Sequence, residues 1–350
     1  MTTSVKKAFQ KCHNNKNHII LDVRTADEWA LGIPQAAYCL TLNDLIDKAE
    51  EELSKNHHYY VMCQTHVRST QAIIQLKKMG FTNLYHLAEG YKGWFENDLP
   101  REIPHLDNKD IRFQRHHQLK GFGRKAQEKL SNAHILLIGA GGLGSSSALY
   151  LAAAGVGQIT IVDDDKVSLS NLQRQIIHTT DRIDQLKVDS AKKQLTAINP
   201  DITINTLAKR LDIHNALQLI EKADVVIDGS DNLKTRYIVN DFCLKLRKPL
   251  VYAAVYQYEA QISVFDFTQA GAPCLRCLFP QTDGFEPANC STEGVLGVVP
   301  GMAGVLQATE TIKLITNVGE SLSAKLLVID LLDNHFKTMK YFKDNQCTHH

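Results

Sequence analysis

The sequence predicts an α/β protein of two domains, the second of them built on a doubly wound sheet of parallel strands. Short apolar runs of strand length alternate along the chain with segments of helical length, which is typical of this class. In two places an apolar run leads through a loop into a helix, after Cys63 and after Gly139. The stretch from Pro100 to Asp110 has two prolines and mixed charges, as linkers do. We therefore place the domains at residues 1–105 and 106–350.

Composition and charge argue against several classes of protein. The chain of 350 residues is 44% hydrophobic and 22% charged, which is ordinary for a globular protein. Its formal net charge of +1 gives no overall reason to expect nucleic acid or an anionic membrane as a partner. Residues 1–18 lack the apolar segment of a secretion signal, and no apolar run reaches about 18 residues. We expect a cytoplasmic protein with no membrane association and no direct nucleic-acid partner.

The second domain begins with the pattern of a nucleotide-binding unit. The residues predict a strand, a helix with small side chains and a second strand, at 135–139, 145–154 and 158–162. Three glycines fit the spacing G-x-G-x-x-G, namely Gly139, Gly141 and Gly144. Glycine allows a tight turn and a close approach of the backbone to phosphate at such a loop. Asp163 ends the second strand and puts a carboxylate where a Rossmann-like unit binds ribose, roughly 20 residues after the loop.

Residues beyond this unit favour ATP over a nicotinamide cofactor. A glycine loop alone would more often belong to a dehydrogenase. Here Arg174, Lys187 and Asp231 follow it, and a hydride-transfer site has little need for such charges around phosphates. A site that binds a triphosphate, holds Mg²⁺ through a carboxylate and stabilises charge at the α-phosphorus does need them. The chain lacks G-x-x-x-x-G-K-[ST], which argues against a P-loop ATPase.

Six motifs follow one another between about residue 111 and the C-terminus. They are Arg112-Phe-Gln-Arg115, Gly139-Ala-Gly-Gly-Leu-Gly144, Ser168-Leu-Ser-Asn-Leu-Gln-Arg-Gln175, Ser230-Asp-Asn232, Cys274-Leu-Arg-Cys277 and Cys290-Ser-Thr-Glu-Gly-Val-Leu-Gly-Val-Val-Pro300. Together they resemble the MoeB/ThiF family of E1-like adenylyltransferases, which activate ubiquitin-fold sulfur carriers. The set is far more specific than the glycine loop alone.

The resemblance implies a role for each polar residue of the site. The glycine loop would receive the nucleotide with Gly139, Gly141, Gly142 and Gly144. Asp163 would bind the ribose and Asp231 the Mg²⁺. The phosphate ligands would be Asn171, Arg174 and Lys187. Arg174 and Asp231 would also act in catalysis, because the attacking carboxylate and the phosphates are all anionic and their repulsion must be offset.

The same resemblance extends to a partner subunit and to a second nucleophile. Arg115 would reach the nucleotide of a neighbouring subunit, so the active enzyme would be a homodimer. Cys290 would attack the acyl-adenylate or form a covalent link with the carrier. The alternatives are a solvated basic face around Arg115 and an incidental thiol at Cys290.

Eight cysteines without a secretion signal indicate reactive or metal-bound thiols rather than disulfides. Cys274 and Cys277 have the C-x-x-C spacing that lets two thiolates share one tetrahedral ion. Members of the resembled family use a second C-x-x-C near the C-terminus, and here that region reads Cys347-Thr-His349-His350. The resemblance implies a structural Zn²⁺ held by Cys274, Cys277, Cys347 and His350, with His349 as the competing fourth ligand. The alternative is a reduced pair of thiols beside a frayed histidine tail.

The first domain contains a candidate nucleophile at the end of a strand. The strand at 59–63 ends in Cys63, and the loop Gln64-Thr-His-Val67 leads to Arg68 and a helix at 70–79. Amide donors of a loop that opens a helix, together with Arg68, would stabilise the thiolate of Cys63. Only four residues separate Cys63 from Arg68, one fewer than in a phosphatase loop. The loop therefore suits a sulfur-sized group better than a phosphate.

Further motifs surround this loop. They are Leu21-Asp-Val-Arg24, Glu28-Trp29, Gly32-Ile-Pro34, Gly90-Tyr-Lys-Gly-Trp94 and Leu99-Pro100. With the loop they resemble a rhodanese domain, in which the cysteine would carry a persulfide received from a donor such as a cysteine desulfurase. The full prediction is a small rhodanese α/β domain followed by a Rossmann-like, doubly wound ThiF-type domain with a zinc site. The alternative is an inactive rhodanese-like domain kept for docking.

The two halves suggest consecutive steps toward a thiocarboxylate. We expect ATP-dependent adenylylation of the C-terminal glycine of a MoaD/ThiS-like carrier that ends in Gly-Gly, followed by sulfur transfer from Cys63. The second enzyme hypothesis is E1-like activation of a ubiquitin-like modifier for protein conjugation, through a thioester on Cys290. A non-catalytic docking module is a third. The pathway stays open, with molybdenum cofactor and thiamine biosynthesis among the candidates.

Overall fold

The computed structural model describes residues 1–102, 108–117, 119–280 and 294–349, with the backbone alone at 108–110. Its internal contacts divide the chain into two compact units, residues 1–125 and 126–350. The linker predicted between Pro100 and Asp110 falls within the first of these units.

A parallel sheet of four strands forms the centre of the first unit. Its strands are β1 (His18–Asp22), β3 (Tyr38–Cys39), β4 (His58–Met62) and β5 (Leu84–His86). Its helices are α1 (Val5–Asn14), α2 (Ala26–Ala30), α3 (Leu42–Glu52), α4 (Val67–Lys78), α5 (Gly90–Glu96) and α6 (Asn108–His117). The strand order is β3-β1-β4-β5, so β4, which leads to Cys63, is a central strand.

Both faces of β1 and β4 are buried, which explains their continuous apolar runs. Leu21 and Val61 are register partners and pack in one core cluster. Ile20 and Tyr60 are also partners but pack in a second cluster with the fully buried Trp94. Successive side chains of a strand point to opposite faces, so each strand supplies both cores.

A small antiparallel sheet lies beside this core. β2 (Ile33–Pro34) pairs with β6 (Arg101–Glu102). The carbonyl oxygen of Pro100 accepts from the amide of Gln35 and from Nε1 of Trp94, each at 3.0 Å. Residues 100–102 of the predicted linker are therefore packed on the first unit.

The second unit is built on an eight-stranded sheet. Its strands are β7 (His134–Ile138), β8 (Gln158–Val162), β9 (Thr203–Leu207), β10 (Val225–Asp228), β11 (Leu250–Tyr256), β12 (Glu259–Phe265), β13 (Lys325–Asp330) and β14 (His335–Lys340). Its helices are α7 (Gly123–Asn132), which begins before the boundary, α8 (Gly142–Ala154), α9 (Lys187–Ile198), α10 (Ala216–Glu221), α11 (Leu233–Leu246), α12 (Leu275–Leu278) and α13 (Val298–Thr316), with 3-10 turns at Leu169–Asn171 and Thr180–Arg182.

The strand order is β14-β13-β12-β11-β10-β7-β8-β9. The five strands from β9 to β11 are parallel, and β12, β13 and β14 continue the sheet in antiparallel fashion. The chain runs outward from β7 to β9 and then returns to β10 on the other side of β7. Such a reversal is the switch point of a doubly wound sheet, where ligands bind outside the carboxyl ends of the strands. The predicted α/β fold class is confirmed.

Helix α8 packs closely against α13, which explains its small side chains. Ser146 and Ser147 are buried, and Ser147 Oγ lies 3.0 Å from the carbonyl oxygen of Gly304. A Cβ on Gly304 would lie 2.1 Å from Ser146 Oγ, so a larger residue there would separate the helices. Among the described residues, no helix combines the length and apolar content needed to cross a membrane.

Candidate functional site

A cavity of about 1700 Å³ opens at the carboxyl edge of the eight-stranded sheet. It lies at the switch point between β7 and β10 and takes lining residues from the loops after both strands. Seven of the residues predicted to bind the nucleotide or Mg²⁺ line this cavity: Gly139, Gly141, Gly142, Asp163, Arg174, Lys187 and Asp231. The fold thus brings together side chains that are far apart in sequence, and their individual roles stay predictions.

The glycine loop between β7 and α8 depends on glycine for two different reasons. Gly139 has a φ of +90°, and a Cβ on Gly144 would lie 2.0 Å from the carbonyl oxygen of Gly139. Within 4 Å, a Cβ on Gly141 would meet only Nε2 of Gln175, at 3.7 Å. Gly139 and Gly144 therefore serve the turn and the packing of helix on strand, whereas Gly141 leaves the backbone open for a ligand.

Acidic residues after β8 hold the glycine loop and a buried lysine. Asp163 Oδ2 accepts from the amide of Ala140 at 2.7 Å, and its Oδ1 accepts from the amide of Asp165 at 2.8 Å. Burial raises the pKa of Asp163, although Lys187 and these amides act in the opposite direction. Lys187 is buried, and its Nζ lies 2.8 Å from Asp165 Oδ2. A carboxylate and an ammonium group are therefore held at the side of the loop.

Arg174 is a cation without a carboxylate partner among the residues that the structure describes. Its Nη1 donates to the carbonyl oxygen of Ser170 at 3.1 Å, and its side chain lines the cavity. Asn171, three residues earlier, accepts from the amide of Ser168 at 3.3 Å and is not one of the lining residues. Arg174 is therefore placed to receive an anion, whereas Asn171 is engaged in the local turn.

The turn after β10 contributes polar groups to which the sequence analysis assigned no role. Asp228 is fully buried, and its Oδ1 accepts from the amide of Ser230 at 2.9 Å. Asp228 Oδ2, Ser230 Oγ and Arg236 Nε have no hydrogen-bond partner in the described part of the chain. Ser230 and Arg236 line the cavity. Buried polar atoms without a protein partner are costly, so this end of the cavity fits a polar ligand such as a nucleotide or a carboxylate.

His178 is another residue that the sequence analysis did not single out. Its Nε2 lies 3.0 Å from the carbonyl oxygen of Ala140, and its Nδ1 lies 2.9 Å from Ser190 Oγ. Burial lowers the pKa of His178, so the neutral ring donates through Nε2 and accepts through Nδ1. It joins the glycine loop to α9, whose first residue is Lys187. A histidine soon after the Ser168–Gln175 motif was the only sequence signal.

In the first unit, Cys63 lies between β4 and the loop into α4. A Cβ on Gly90, which has a φ of +61°, would lie 2.6 Å from each of three carbonyl oxygens, those of Cys63, Gln64 and Thr65. These carbonyls therefore turn toward Gly90, and because the peptide bond is trans, the amides that follow them point the other way. In this described loop, the structure records no protein hydrogen bond to the amides of Gln64, Thr65 or His66. The row of amide donors suits an anionic sulfur group.

Arg68 is anchored rather than free beside this loop. Its Nη1 and Nη2 donate to the two carboxylate oxygens of Glu28 at 2.6 and 2.7 Å. The hydrogen bond to Glu28 raises the pKa of Arg68, and the charge of Cys63 adds to the effect. Cys63 itself is 1% exposed. The charge of Arg68 is therefore felt at Cys63 and is held in place by Glu28, and its role in stabilising the thiolate stays a prediction.

Three cysteines of the second unit form a cluster. Cys274 Sγ lies 3.8 Å from Cys277 Sγ and 3.8 Å from Cys347 Sγ. Tetrahedral Zn²⁺ with bonds of about 2.3 Å holds its sulfur ligands about 3.8 Å apart, so the geometry fits zinc. Burial raises the pKa of Cys274 to about 12, so its thiolate needs a nearby cation. The cluster could hold a metal ion, and three of the four predicted ligands are together.

Three further predicted residues keep roles that the described residues do not test. Cys290 and His350 lie outside the described residues. Arg115 lies on α6 in the first unit, where α6 contacts α2. The thioester, fourth-ligand and partner-subunit roles stay predictions.

The sequence itself matches two known families. The model of the ThiF family matches residues 113–349, which is more than half of the chain. The chain belongs to the ThiF family. The model of the rhodanese-like domain matches residues 4–97, ahead of the ThiF region. The resemblance of both halves predicted from the motifs is confirmed.

Several curated relatives match about two thirds of the chain. "Adenylyltransferase and sulfurtransferase MOCS3-1" of Zea mays is 46% identical over 240 residues, which is 68% of this chain and 51% of that protein. "SAMP-activating enzyme E1" of Haloferax volcanii is 41% identical, over 67% of this chain and 87% of that protein. "Sulfur carrier protein adenylyltransferase" of Thermus thermophilus is 40% identical, over 67% of this chain and 89% of that protein. The chain spans about half the length of relatives such as the maize protein.

Solved structures support the ThiF fold. The E. coli enzyme MccB with MccA-N7isoASN has a TM-score of 0.61 at 20% identity, covering 74% of this chain and 85% of MccB. PaaA has a TM-score of 0.59 at 20% identity, covering 73% of this chain and 81% of PaaA. Identities this low establish a shared fold and no more.

Proposed function

We propose that this ThiF-family chain adenylylates the C-terminal glycine of a ubiquitin-fold sulfur carrier that ends in Gly-Gly, and that Cys63 delivers sulfur to the activated carboxylate. The main support is one cavity that collects a glycine loop, Arg174, Lys187 and Asp231, in a chain that also has a rhodanese-type cysteine loop. Two relatives have names that agree with this proposal: "Adenylyltransferase and sulfurtransferase MOCS3-1" of maize and "Sulfur carrier protein adenylyltransferase" of Thermus thermophilus.

The first step is attack by the carrier carboxylate on the α-phosphorus of ATP. The bond from that phosphorus to the bridging oxygen breaks, pyrophosphate leaves and an acyl-adenylate forms. Arg174 and Lys187 offset the repulsion between the anionic nucleophile and the phosphates. Asp231 would hold Mg²⁺, which supplies further neutralisation of phosphate charge. Asp163 would bind the ribose.

The second step transfers sulfur from a persulfide on Cys63. Its terminal sulfur attacks the acyl carbon, and AMP leaves. Release of the carrier thiocarboxylate from the resulting acyl disulfide needs a second thiolate, which attacks the Cys63 sulfur and breaks its bond to the outer sulfur. The disulfide that this leaves on Cys63 must then be reduced by an external thiol. We propose Cys290 for this thiol, or for a thioester with the carrier. The persulfide on Cys63 would come from a donor such as a cysteine desulfurase.

Several finer features belong to the same proposal. The enzyme would act in the cytoplasm as a homodimer, with Arg115 reaching the nucleotide of the second subunit. Zn²⁺ would be held by Cys274, Cys277 and Cys347, with His350 or His349 as the fourth ligand. This ion would be structural, because four protein ligands leave no open position for a substrate.

The decisive experiment is pyrophosphate exchange into ATP with each candidate carrier, followed by the intact mass of the carrier after a persulfide donor is added. We expect exchange with one carrier, and a mass gain equal to replacement of one oxygen by sulfur. The Cys63→Ala variant should keep the exchange and lose the mass gain. Cys12→Ala, a half-buried thiol elsewhere in the first unit, serves as the matched control and should behave as wild type.

Other outcomes would point elsewhere. A requirement for Cys290 without Cys63 would favour protein conjugation through a thioester. The absence of exchange with every carrier would reject adenylylation and favour a docking role.

A further inference from the structure

Cys63, Ser69 and His86 form a hydrogen-bonded row that the proposed sulfur transfer does not yet use. Cys63 Sγ lies 3.4 Å from Ser69 Oγ, and Ser69 Oγ lies 2.9 Å from His86 Nε2. The three residues come from different elements, since Cys63 follows β4, Ser69 is in the first turn of α4 and His86 ends β5. Ser69 is fully buried and Cys63 is 1% exposed. Solvent water is therefore poorly placed to accept the thiol proton.

We propose that His86, acting through Ser69, accepts the proton of the Cys63 thiol when Cys63 attacks a sulfur donor. His86 would be a positioning residue, because it touches the nucleophile only through the Ser69 hydroxyl. The inference rests on the proposed role of Cys63 as a persulfide carrier. It assigns a histidine to a reaction for which the motifs supplied only a cysteine and an arginine.

The backbone holds both relay residues in place. The amide of His86 donates to the carbonyl oxygen of Met1 at 2.8 Å, and the amide of Thr3 donates to the carbonyl oxygen of His86 at 3.0 Å. Ser69 Oγ also lies 3.0 Å from the carbonyl oxygen of His66. The hydroxyl proton can therefore point to His86 Nε2 or to this carbonyl. When it points to His86, the oxygen is left to accept from the Cys63 thiol.

Burial, with a smaller effect of neighbouring charges, favours the neutral ring of His86 before the reaction. Burial lowers the pKa of His86, and the ring of His66 and the N-terminal amine of Met1 lower it further, against an opposing hydrogen bond at His66. Among the described residues, His66 and the N-terminal amine are the titratable groups whose charges act on the ring. A neutral ring with its proton on Nδ1 offers Nε2 as an acceptor. Arg68 cannot replace it as a base, because its guanidinium stays protonated.

The relay balances without any added reagent. The Cys63 thiol proton passes to Ser69 Oγ while the Ser69 hydroxyl proton passes to His86 Nε2. The thiolate attacks the outer sulfur of a donor persulfide, the S–S bond of the donor breaks, and the donor leaves as a thiolate. That leaving thiolate takes the proton from imidazolium, so His86 returns to its neutral form with Cys63 as a persulfide. The negative charge on Cys63 during attack would favour the imidazolium.

The test is the pH dependence of Cys63 alkylation by iodoacetamide in the full-length chain, followed by peptide mass. Because no sulfur donor is present, the result does not depend on the proposed function. We expect the midpoint of the profile to rise by about 1 pH unit in His86→Gln, which is about a tenfold loss of rate below both midpoints. Ser69→Ala should shift it similarly, and Ser69→Thr, which keeps a hydroxyl, should restore the wild-type profile.

His13→Gln, at an exposed histidine on α1, is the matched control and should leave the profile unchanged. An unshifted midpoint in His86→Gln would overturn the proposal, and so would a shift in His86→Gln that Ser69→Ala does not reproduce. Circular dichroism of each variant separates a lost fold from a lost relay. If the shifts occur but wild-type chain never transfers sulfur to a carrier, the relay stands and the proposed function fails.

Discussion

The guanidinium group of Arg68 donates hydrogen bonds of 2.6 and 2.7 Å to the two carboxylate oxygens of Glu28, a residue 40 positions earlier in the sequence. Glu28 also accepts from the amide and the hydroxyl of Thr25, at 2.9 and 2.8 Å. The ion pair thus joins α2 to the first turn of α4, beside Cys63. Glu28 therefore fixes the position of the Arg68 guanidinium.

This pair predicts a specific acid sensitivity. Burial alone would raise the pKa of Glu28, but hydrogen bonds from Arg68 and Thr25 outweigh it and lower the pKa from 4.5 to about 2. A carboxyl group with a lowered pKa stabilises the fold above its ordinary pKa, and this stabilisation is lost as the pH falls from 4.5 toward about 2. Glu28→Gln should therefore reduce the free energy of unfolding at pH 6 by about 1–2 kcal/mol and by less at pH 3.

Urea unfolding of the full chain, followed at pH 6 and pH 3, measures this difference. Glu96→Gln is the control, since Glu96 pairs with Lys92 at 3.8 Å on an exposed helix face, where ion pairs contribute little. An equal loss of stability at both pH values in Glu28→Gln would contradict the prediction.

Arg174 predicts a loss of catalysis without a loss of fold. Its guanidinium makes one recorded hydrogen bond, to the carbonyl oxygen of Ser170, so Arg174→Ala should change the free energy of unfolding by no more than about 0.5 kcal/mol. Pyrophosphate exchange should fall by about 100-fold or more, because a preorganised cation at the phosphates is lost. Lys193→Ala, on the exposed face of α9, should leave exchange unchanged. Wild-type exchange in folded Arg174→Ala would remove Arg174 from the site.

Two glycines of the same loop predict opposite outcomes. In Gly144→Ala the new Cβ would lie 2.0 Å from the carbonyl oxygen of Gly139, so the turn must shift, at a cost of about 2–4 kcal/mol of stability. In Gly141→Ala the Cβ would meet only Gln175 at 3.7 Å. That variant should keep its thermal stability and bind ATP more weakly by calorimetry. A stable Gly144→Ala variant would show that the loop is less constrained than its geometry indicates.

The cysteine cluster predicts a metal that supports the fold. We expect ~1 zinc ion per chain by atomic emission and a loss of it in Cys277→Ser, since that change removes one of the sulfur ligands. The free energy of unfolding should drop by about 2 kcal/mol or more, and a chelator should reduce the wild type to the same level. Cys12→Ala should keep both metal and stability. A zinc site would be rejected if purified wild type contained no metal and Cys277→Ser were as stable as wild type.

The central elements of both sheets could be predicted from local pattern. The strand predicted at 158–162 has the same bounds as β8, and the strands predicted at 135–139 and 59–63 differ from β7 and β4 by one residue at each end. The agreement is close because a buried parallel strand is a continuous apolar run. β14 could not be found in this way, since every residue from His335 to Lys340 is exposed. β14 is a strand because it pairs with β13, and this pairing leaves no alternation of buried and exposed residues in the sequence.

Sequence patterns alone identify the residues that can do chemistry and the turns and helix starts on which they lie. The glycine spacing, the Cys63 loop and the C-x-x-C pair are short-range patterns, and each depends on turns and helix starts that neighbouring residues control. Only the tertiary structure decided which side chains meet across the chain. Three polar contacts join separate elements in this way: Glu28 with Arg68, His86 with Ser69, and His178 with Ala140. Such contacts follow from strand order and helix packing, which no local pattern encodes.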